Sequence, residues 1–332
     1  MKYGLLGVYL DVNLRRYILW FTTSLLIVTV VLFIYSIITE ADMLLVFSLH
    51  PLACSFIVFL YLLALVCSGV RLYFLAKAAN IRISIVNCII LRFASQAISN
   101  ITPSFMGGEV VRIVTLRCIG ENANIYKALA IVLYEILLDV TITNTISLIT
   151  SAYFIFIHGH LLFIIPFTAS LYLISFWFLT FIIFLTGHIR GAFVSFISAF
   201  TNRFKPNMSL SLEQFIRGVG SVMGTLLSVK NVVITLFLTI LAILFQALTI
   251  YFSSSFLELN IGVFYALLAY CIMLALGVVP TPGGAGGVEF GAYLMLRPSI
   301  VIVWRILTYH VITFISMMFL IVLIVKYSLK LD

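Results

Sequence analysis

Residues 278 to 290 read VVPTPGGAGGVEF and sit between two apolar runs. Proline removes a backbone donor and glycine weakens a helix, so Pro280, Pro282, Gly283, Gly284, Gly286 and Gly287 end any continuous helix here. Glu289 follows at once. On insertion scales a charge at mid-membrane depth costs roughly 2.5–3.5 kcal/mol. Broken backbone at that depth is tolerated only where it is buried in protein or lines a cavity. The stretch therefore predicts two half-helices joined by a turn inside a helical assembly.

The rest of the chain supplies that setting. It is 64% hydrophobic and 9% charged, with mean hydropathy +1.25, and several runs reach the roughly 20 residues that span a bilayer. The fold class is an all-α polytopic membrane protein, and continuous runs argue against a β-barrel. No stretch between them is long and polar enough for a soluble catalytic domain, so the chain reads as a single transmembrane domain over 1–332. The net charge of +8 comes from Lys and Arg near helix ends, which points to topology and anionic headgroups and not to nucleic acid. The five cysteines are scattered without a C-x-x-C, so neither a metal site nor a disulfide framework is indicated.

Charge bias orients the spans. Lys2, Arg15 and Arg16 precede a first span at Ile18–Ile38, with Glu40 and Asp42 beyond it. A second span, Leu52–Leu75, returns to Arg71, Lys77 and Arg82 on the inside. Residues 83 to 117 are apolar but broken at Asn100-Ile-Thr-Pro103 and Gly107-Gly108, with basic residues at both ends. They predict a segment that enters from the cytoplasm and turns back. Further spans follow at Ala128–Ile157, Leu161–Thr186, Val232–Phe256 and Ile300–Val325, the last ending at Lys326 and Lys330. Between them, 188–230 reads as a basic interfacial segment carrying His188, Arg190, Arg203, Lys205, Arg217 and Lys230, and 261–296 is a second broken hairpin entered from outside. The expectation is about six full spans plus two re-entrant broken hairpins, in half-repeats at 15–157 and 161–326 of inverted topology, with both termini cytoplasmic. Paired interruptions of this kind point to a binding site near the midplane. A plain bundle of about eight spans is the alternative.

The ionisable residues gather around the hairpins: Arg92, Glu109, Arg112, Glu135, Asp139, Glu289, Arg305 and His310. Glu135 and Asp139 are one helical turn apart on one face and need a cation or proton. Arg92 and Arg112 are the nearest candidates by topology, and Arg305 is the candidate for Glu289. These groups read either as buried pairs that fix helix register or as a polar path. His310 reads as a packed histidine or a proton relay. The glycines read as tight turns, or as turns whose free N–H groups at half-helix N-termini meet an anionic headgroup. Neither G-x-x-x-x-G-K-[ST] nor G-x-G-x-x-G occurs, and G-x-S-x-G and H-E-x-x-H are lacking too. No catalytic residue, metal or cofactor is expected.

Two segments carry a resemblance. SNITPSFMGGEVVRIVTLR, residues 99 to 117, and VVPTPGGAGGVEF resemble the signature segments of the lysylphosphatidylglycerol synthetase transmembrane-region family, also called flippase-like domain proteins. Pro103, Gly107, Gly108, Glu109 and Arg112 match the first; Pro282, Gly283, Gly284, Gly286 and Glu289 match the second. VLYEILLD resembles the acidic helix segment with Glu135 and Asp139, although Ile136 stands where the family often has arginine. Arg305 sits where the last helix commonly carries arginine. The resemblance covers roughly residues 50 to 325. It implies a cell-membrane protein that moves or handles a phospholipid or polyprenyl-phosphate lipid without ATP. Arg92, Asn100, Pro103, Gly107, Gly108, Glu109, Arg112, Glu135, Asp139, Pro282, Gly283, Gly284, Gly286, Gly287, Glu289 and Arg305 form the expected substrate-binding set. The partners implied are membrane lipids and a separate glycosyl- or aminoacyl-transferase. The alternatives are a non-transporting partner that presents a lipid to such an enzyme, and a lipid-modifying enzyme.

Overall fold

The computed structural model describes residues 14–186, 189, 191–193, 195–196 and 208–328. Lys2, His188, Arg190, Arg203, Lys205 and Lys330, which the charge reading placed at the cytoplasmic face, lie outside the described residues. All regular elements among the described residues are helical, with two isolated antiparallel bridges. In chain order they are α1 (Leu14–Thr39), α2 (Leu45–Ser48), α3 (Pro51–Ala78), α4 (Ile85–Ile101), α5 (Gly107–Ile119), α6 (Ile125–Phe156), α7 (Ile164–Leu185), α8 (Met208–Leu226), α9 (Val229–Phe256), α10 (Val263–Leu276), α11 (Gly287–Tyr293), α12 (Pro298–Arg305) and α13 (Ile312–Ser328). A 3-10 turn, Leu161–Phe163, leads into α7, and a π turn, Ile306–Val311, joins α12 to α13.

Helix starts follow local chemistry. The side chain of Ser84 accepts the amide of Asn87, that of Asn124 accepts the amide of Lys127, and Pro51 opens α3, as expected of N-caps and a first-position proline. Among the described residues, five helices are long and apolar enough to cross a membrane: Leu19–Thr39, Pro51–Ala78, Leu161–Leu185, Val229–Phe256 and Pro298–Lys326. The 32-residue α6 is about 48 Å long at 1.5 Å per residue. It has the reach of a span but carries Lys127, Glu135 and Asp139. The helix expected as the last full span of 15–157 thus has a charged course, set by what it meets inside.

The two broken segments fold as helical hairpins. At the base of the first, Arg82 and Glu121 exchange backbone hydrogen bonds of 3.0 and 3.1 Å, so its two ends lie side by side. At the base of the second, the hydroxyl of Tyr265 donates to the carbonyl of Met295 at 2.7 Å. The bases sit at opposite ends of α6. Near the start of α6, the ammonium of Lys127 donates to the carbonyls of Asn80 and Asn122 beside the first base. Near its far end, Phe154 and Ile155 pack on the cluster containing Ala266, Met295 and Leu296. Around this pair, α3 packs along α9, α4 along α13, and α10 along α6.

Within the expected interfacial stretch, α8 buries Ile216, Val219, Met223 and Leu226 against α6 and α7. It exposes Arg217, which pairs with Glu213 at 2.8 Å. Lys230 is exposed in the first turn of α9.

Candidate functional site

The hairpin tips meet. Pro103 and Pro282 form an antiparallel bridge. The amide of Ser104 donates to the Thr281 carbonyl at 3.3 Å, and the Ser104 hydroxyl donates to the Val278 carbonyl at 2.9 Å. Helix ends leave carbonyls without intrahelical partners, and a membrane interior offers no water to satisfy them. Here side chains do so. Ser24 donates to the Ile101 carbonyl at 2.8 Å, Tyr309 to the Asn100 carbonyl at 2.9 Å and Arg305 to the Gly283 carbonyl at 2.5 Å. Asn100 is held on both sides, accepting from the Gln96 amide at 2.9 Å and donating to Thr313 at 2.8 Å. Each break is thus supported by the other hairpin and by the last helix.

Close approach explains two glycines. Gly284 has φ +61°, and a Cβ there would lie 2.5 Å from the Gly277 carbonyl oxygen. A Cβ on Gly108 would run into the Ser99 hydroxyl and the Ser95 carbonyl, so α4 and α5 pack backbone against backbone.

The buried charges form two groups. In the first, Arg71 reaches Glu135 at 3.3 Å and Asp139 through two nitrogens at 2.5 and 2.9 Å. It also donates to Thr239 on α9 at 2.7 Å. Arg112 completes this group 3.4 Å from Glu135. In the second, Arg305 pairs with Glu289 at 2.8 Å. The second carboxylate oxygen of Glu289 accepts the Gly286 amide at 2.6 Å, so Glu289 caps the helix that it begins. Arg71, Glu135, Arg112, Glu289 and Arg305 are all buried, whereas the Asp139 side chain is 43% exposed.

A cavity of about 360 Å³ opens between the hairpins. Arg92, Gln96, Asn100 and Ser104 line it from the first hairpin, with Glu109 and Arg112 on α5. Asp139 lines it from α6, Val278 and Val288 from the second hairpin, and Arg305 from the last span. Of the expected substrate-binding set, Arg92, Asn100, Glu109, Arg112, Asp139 and Arg305 face this space. Glu135 and Glu289 stand behind it as counter-ions. Pro103, Gly107, Gly108, Pro282, Gly283, Gly284, Gly286 and Gly287 build the two turns.

Three expectations are corrected. Arg71, read as one of the charges at the inner end of the second span, is fully buried and is the main partner of Glu135 and Asp139. It lies seven residues before the end of α3, about 10 Å along the helix, and that offset was the signal in the sequence. The side chain of Arg92, read as a partner of those carboxylates, forms no ion pair or hydrogen bond among the described residues, and its Nε is buried without a partner. Two glycine amides expected to be free are occupied: that of Gly286 by Glu289 and that of Gly107 by the Thr102 hydroxyl at 2.9 Å. His310 reaches Thr29 on α1 through Nε2 at 3.1 Å. It does not line the cavity, in keeping with a packed histidine.

The chain matches a family model described as Lysylphosphatidylglycerol synthase TM region over residues 20–321. That range takes in both hairpins and every residue of the candidate site. No curated protein and no solved structure matches the chain.

Proposed function

The chain belongs to the lysylphosphatidylglycerol synthase transmembrane-region family, a multi-pass membrane domain, and from that premise we propose that it moves a lipid headgroup between leaflets. The observation that carries this reading is the joining of two broken hairpins, with bases at opposite ends of α6, over one charged cavity. Discontinuous elements from two halves that meet over a polar space form the usual site of alternating access in secondary transporters. The headgroup passes through the cavity while the acyl chains stay in the bilayer. Arg92, Arg112 and Arg305 face the phosphate, with Glu135 countering Arg112 and Glu289 countering Arg305. The halves 15–157 and 161–326 act as an inverted repeat in one domain at the cell membrane, with cytoplasmic termini. Transport is passive or ion-coupled, and the substrate is a phospholipid or a polyprenyl-phosphate lipid.

The test is reconstitution in liposomes with a panel of headgroup-labelled lipids, read by a membrane-impermeant quencher. Leaflet exchange above that of protein-free liposomes is expected for at least one lipid. It should fall in Glu109→Gln and Arg112→Gln proteins that keep the wild-type gel-filtration profile. Folded protein that exchanges none of the panel overturns the reading.

A further inference from the structure

A census of charge around the cavity separates spent groups from unspent ones. Arg71 and Arg112 are offset by Glu135 and Asp139, and Arg305 by Glu289. Both groups are neutral. Two charged residues that line the cavity remain, Arg92 on α4 and Glu109 on α5. Neither forms an ion pair among the described residues, with each other or with any other group. The Nε of Arg92 is buried without a hydrogen-bond partner, and no hydrogen bond occupies the Glu109 carboxylate among the described residues. They come from opposite arms of the first hairpin. The arms are fixed by the backbone contact at Gly108 and by the exchange between Arg82 and Glu121. Both charges line the same cavity without pairing.

Arg92 and Glu109 are both half-buried, and charges drawn partly out of water are retained where something compensates them. One free cation and one free anion on a single cavity match an occupant bearing both signs. We propose that the cavity binds a zwitterionic phosphate–ammonium headgroup of the ethanolamine-phosphate type, with the phosphate on Arg92 and the ammonium on Glu109. The planar guanidinium presents several donors to phosphate oxygens, and the carboxylate accepts from an ammonium. Apolar side chains in the same lining, Leu65, Leu173, Trp177 and Leu274 among them, suit a headgroup still attached to its lipid. The inference deepens the transport reading by naming a substrate class for the same site, and it rests on that reading only for what happens after binding.

Binding is therefore measured apart from transport. Purified protein in nanodiscs is titrated with phosphatidylethanolamine, phosphatidylglycerol and a cationic diacyl lipid, and bound lipid is counted by native mass spectrometry. Glycerophosphoethanolamine serves as a soluble competitor. Wild type is expected to bind phosphatidylethanolamine at least tenfold more tightly than either singly charged lipid. Glu109→Gln should shift preference toward phosphatidylglycerol, and Arg92→Gln toward the cationic lipid. Competition by glycerophosphoethanolamine at similar affinity would identify the free headgroup as sufficient; its failure would make the acyl chains part of the ligand. Equal binding of all three lipids by folded wild type overturns the inference, even where liposomes show exchange. Selective binding with the two opposite shifts sustains it, even where liposomes show none; in that case the transport reading fails instead.

Discussion

Arg71 holds three helices through one guanidinium: its own, α6 through Glu135 and Asp139, and α9 through Thr239. Removing one partner of a buried pair leaves an uncompensated charge, which costs about 3–5 kcal/mol. Arg71→Met is therefore expected to lower the thermal unfolding midpoint in detergent by many degrees. Arg71→Lys should fall between, since an ammonium cannot grip both carboxylates in a planar fork. Adding Asp139→Asn to Arg71→Met should restore much of the loss, because Glu135 then keeps Arg112 as its partner and no lone charge remains. An Arg71→Met protein that melts with wild type would show that these contacts hold nothing together. Gly284→Ala makes a second test on the other hairpin. Its Cβ meets the Gly277 carbonyl at a left-handed backbone position, and overpacking of this kind costs about 1–3 kcal/mol. The same melt reads it. The pair of Glu289 and Arg305 was legible in the sequence because both stand alone in apolar runs. Arg71 was not, because Lys77 and Arg82 follow closely and the three read as one inner-face cluster.

At the scale of elements, the hairpins were legible and their meeting was not. Proline and glycine mark where a helix must stop, and the basic residues flanking 83 to 117 mark a return to the same side. No local signal says that the carbonyls freed at Val278 and Thr281 will be satisfied by Ser104, 174 residues away for the first. The amide census follows the same rule. Gly107 and Gly286 suggested open anion sites, yet Thr102 and Glu289 fill them from within their own turns. Bridged residues of antiparallel strands have Cα atoms about 4.5–5.5 Å apart, within disulfide range. Pro103→Cys with Pro282→Cys, in a background without the native cysteines, is expected to crosslink under mild oxidation. The readout is retention of both halves as one band after protease cleavage between them. Either single cysteine with a partner at Arg297 should not crosslink. If the hairpins move against each other during transport, oxidation also stops leaflet exchange and reduction restores it. A double-cysteine protein that stays uncrosslinked would overturn the tip-to-tip contact.

At the scale of the molecule, the helix contacts run between 15–157 and 161–326. α3 lies along α9, the second candidate span of 15–157 beside the second of 161–326, and the tips meet at one bridge. The cross-contacts are reciprocal as well: α13 packs on the first hairpin through α4, and α6 packs on the second through α10. A two-fold axis in the membrane plane gives such reciprocity, and it requires the hairpin bases to face opposite sides. Surface charge was the only guide to orientation in the sequence, and the positive-inside bias acts through short loops. Single cysteines at Arg82 and Glu121 probe the first base, and at Asn260 and Arg297 the second; all four positions are exposed. With an impermeant maleimide on intact cells, cysteines at 260 and 297 are expected to label. Those at 82 and 121 should label only after the membrane is opened. Within each hairpin the two positions must agree, because backbone bonds join 82 to 121 and the bond from Tyr265 to Met295 ties the arms next to 260 and 297. Labelling of all four from one side would remove the inverted relation and, with it, the path that carries a headgroup from one leaflet to the other. The opposite assignment, with 82 and 121 outside, would keep the path and invert the molecule.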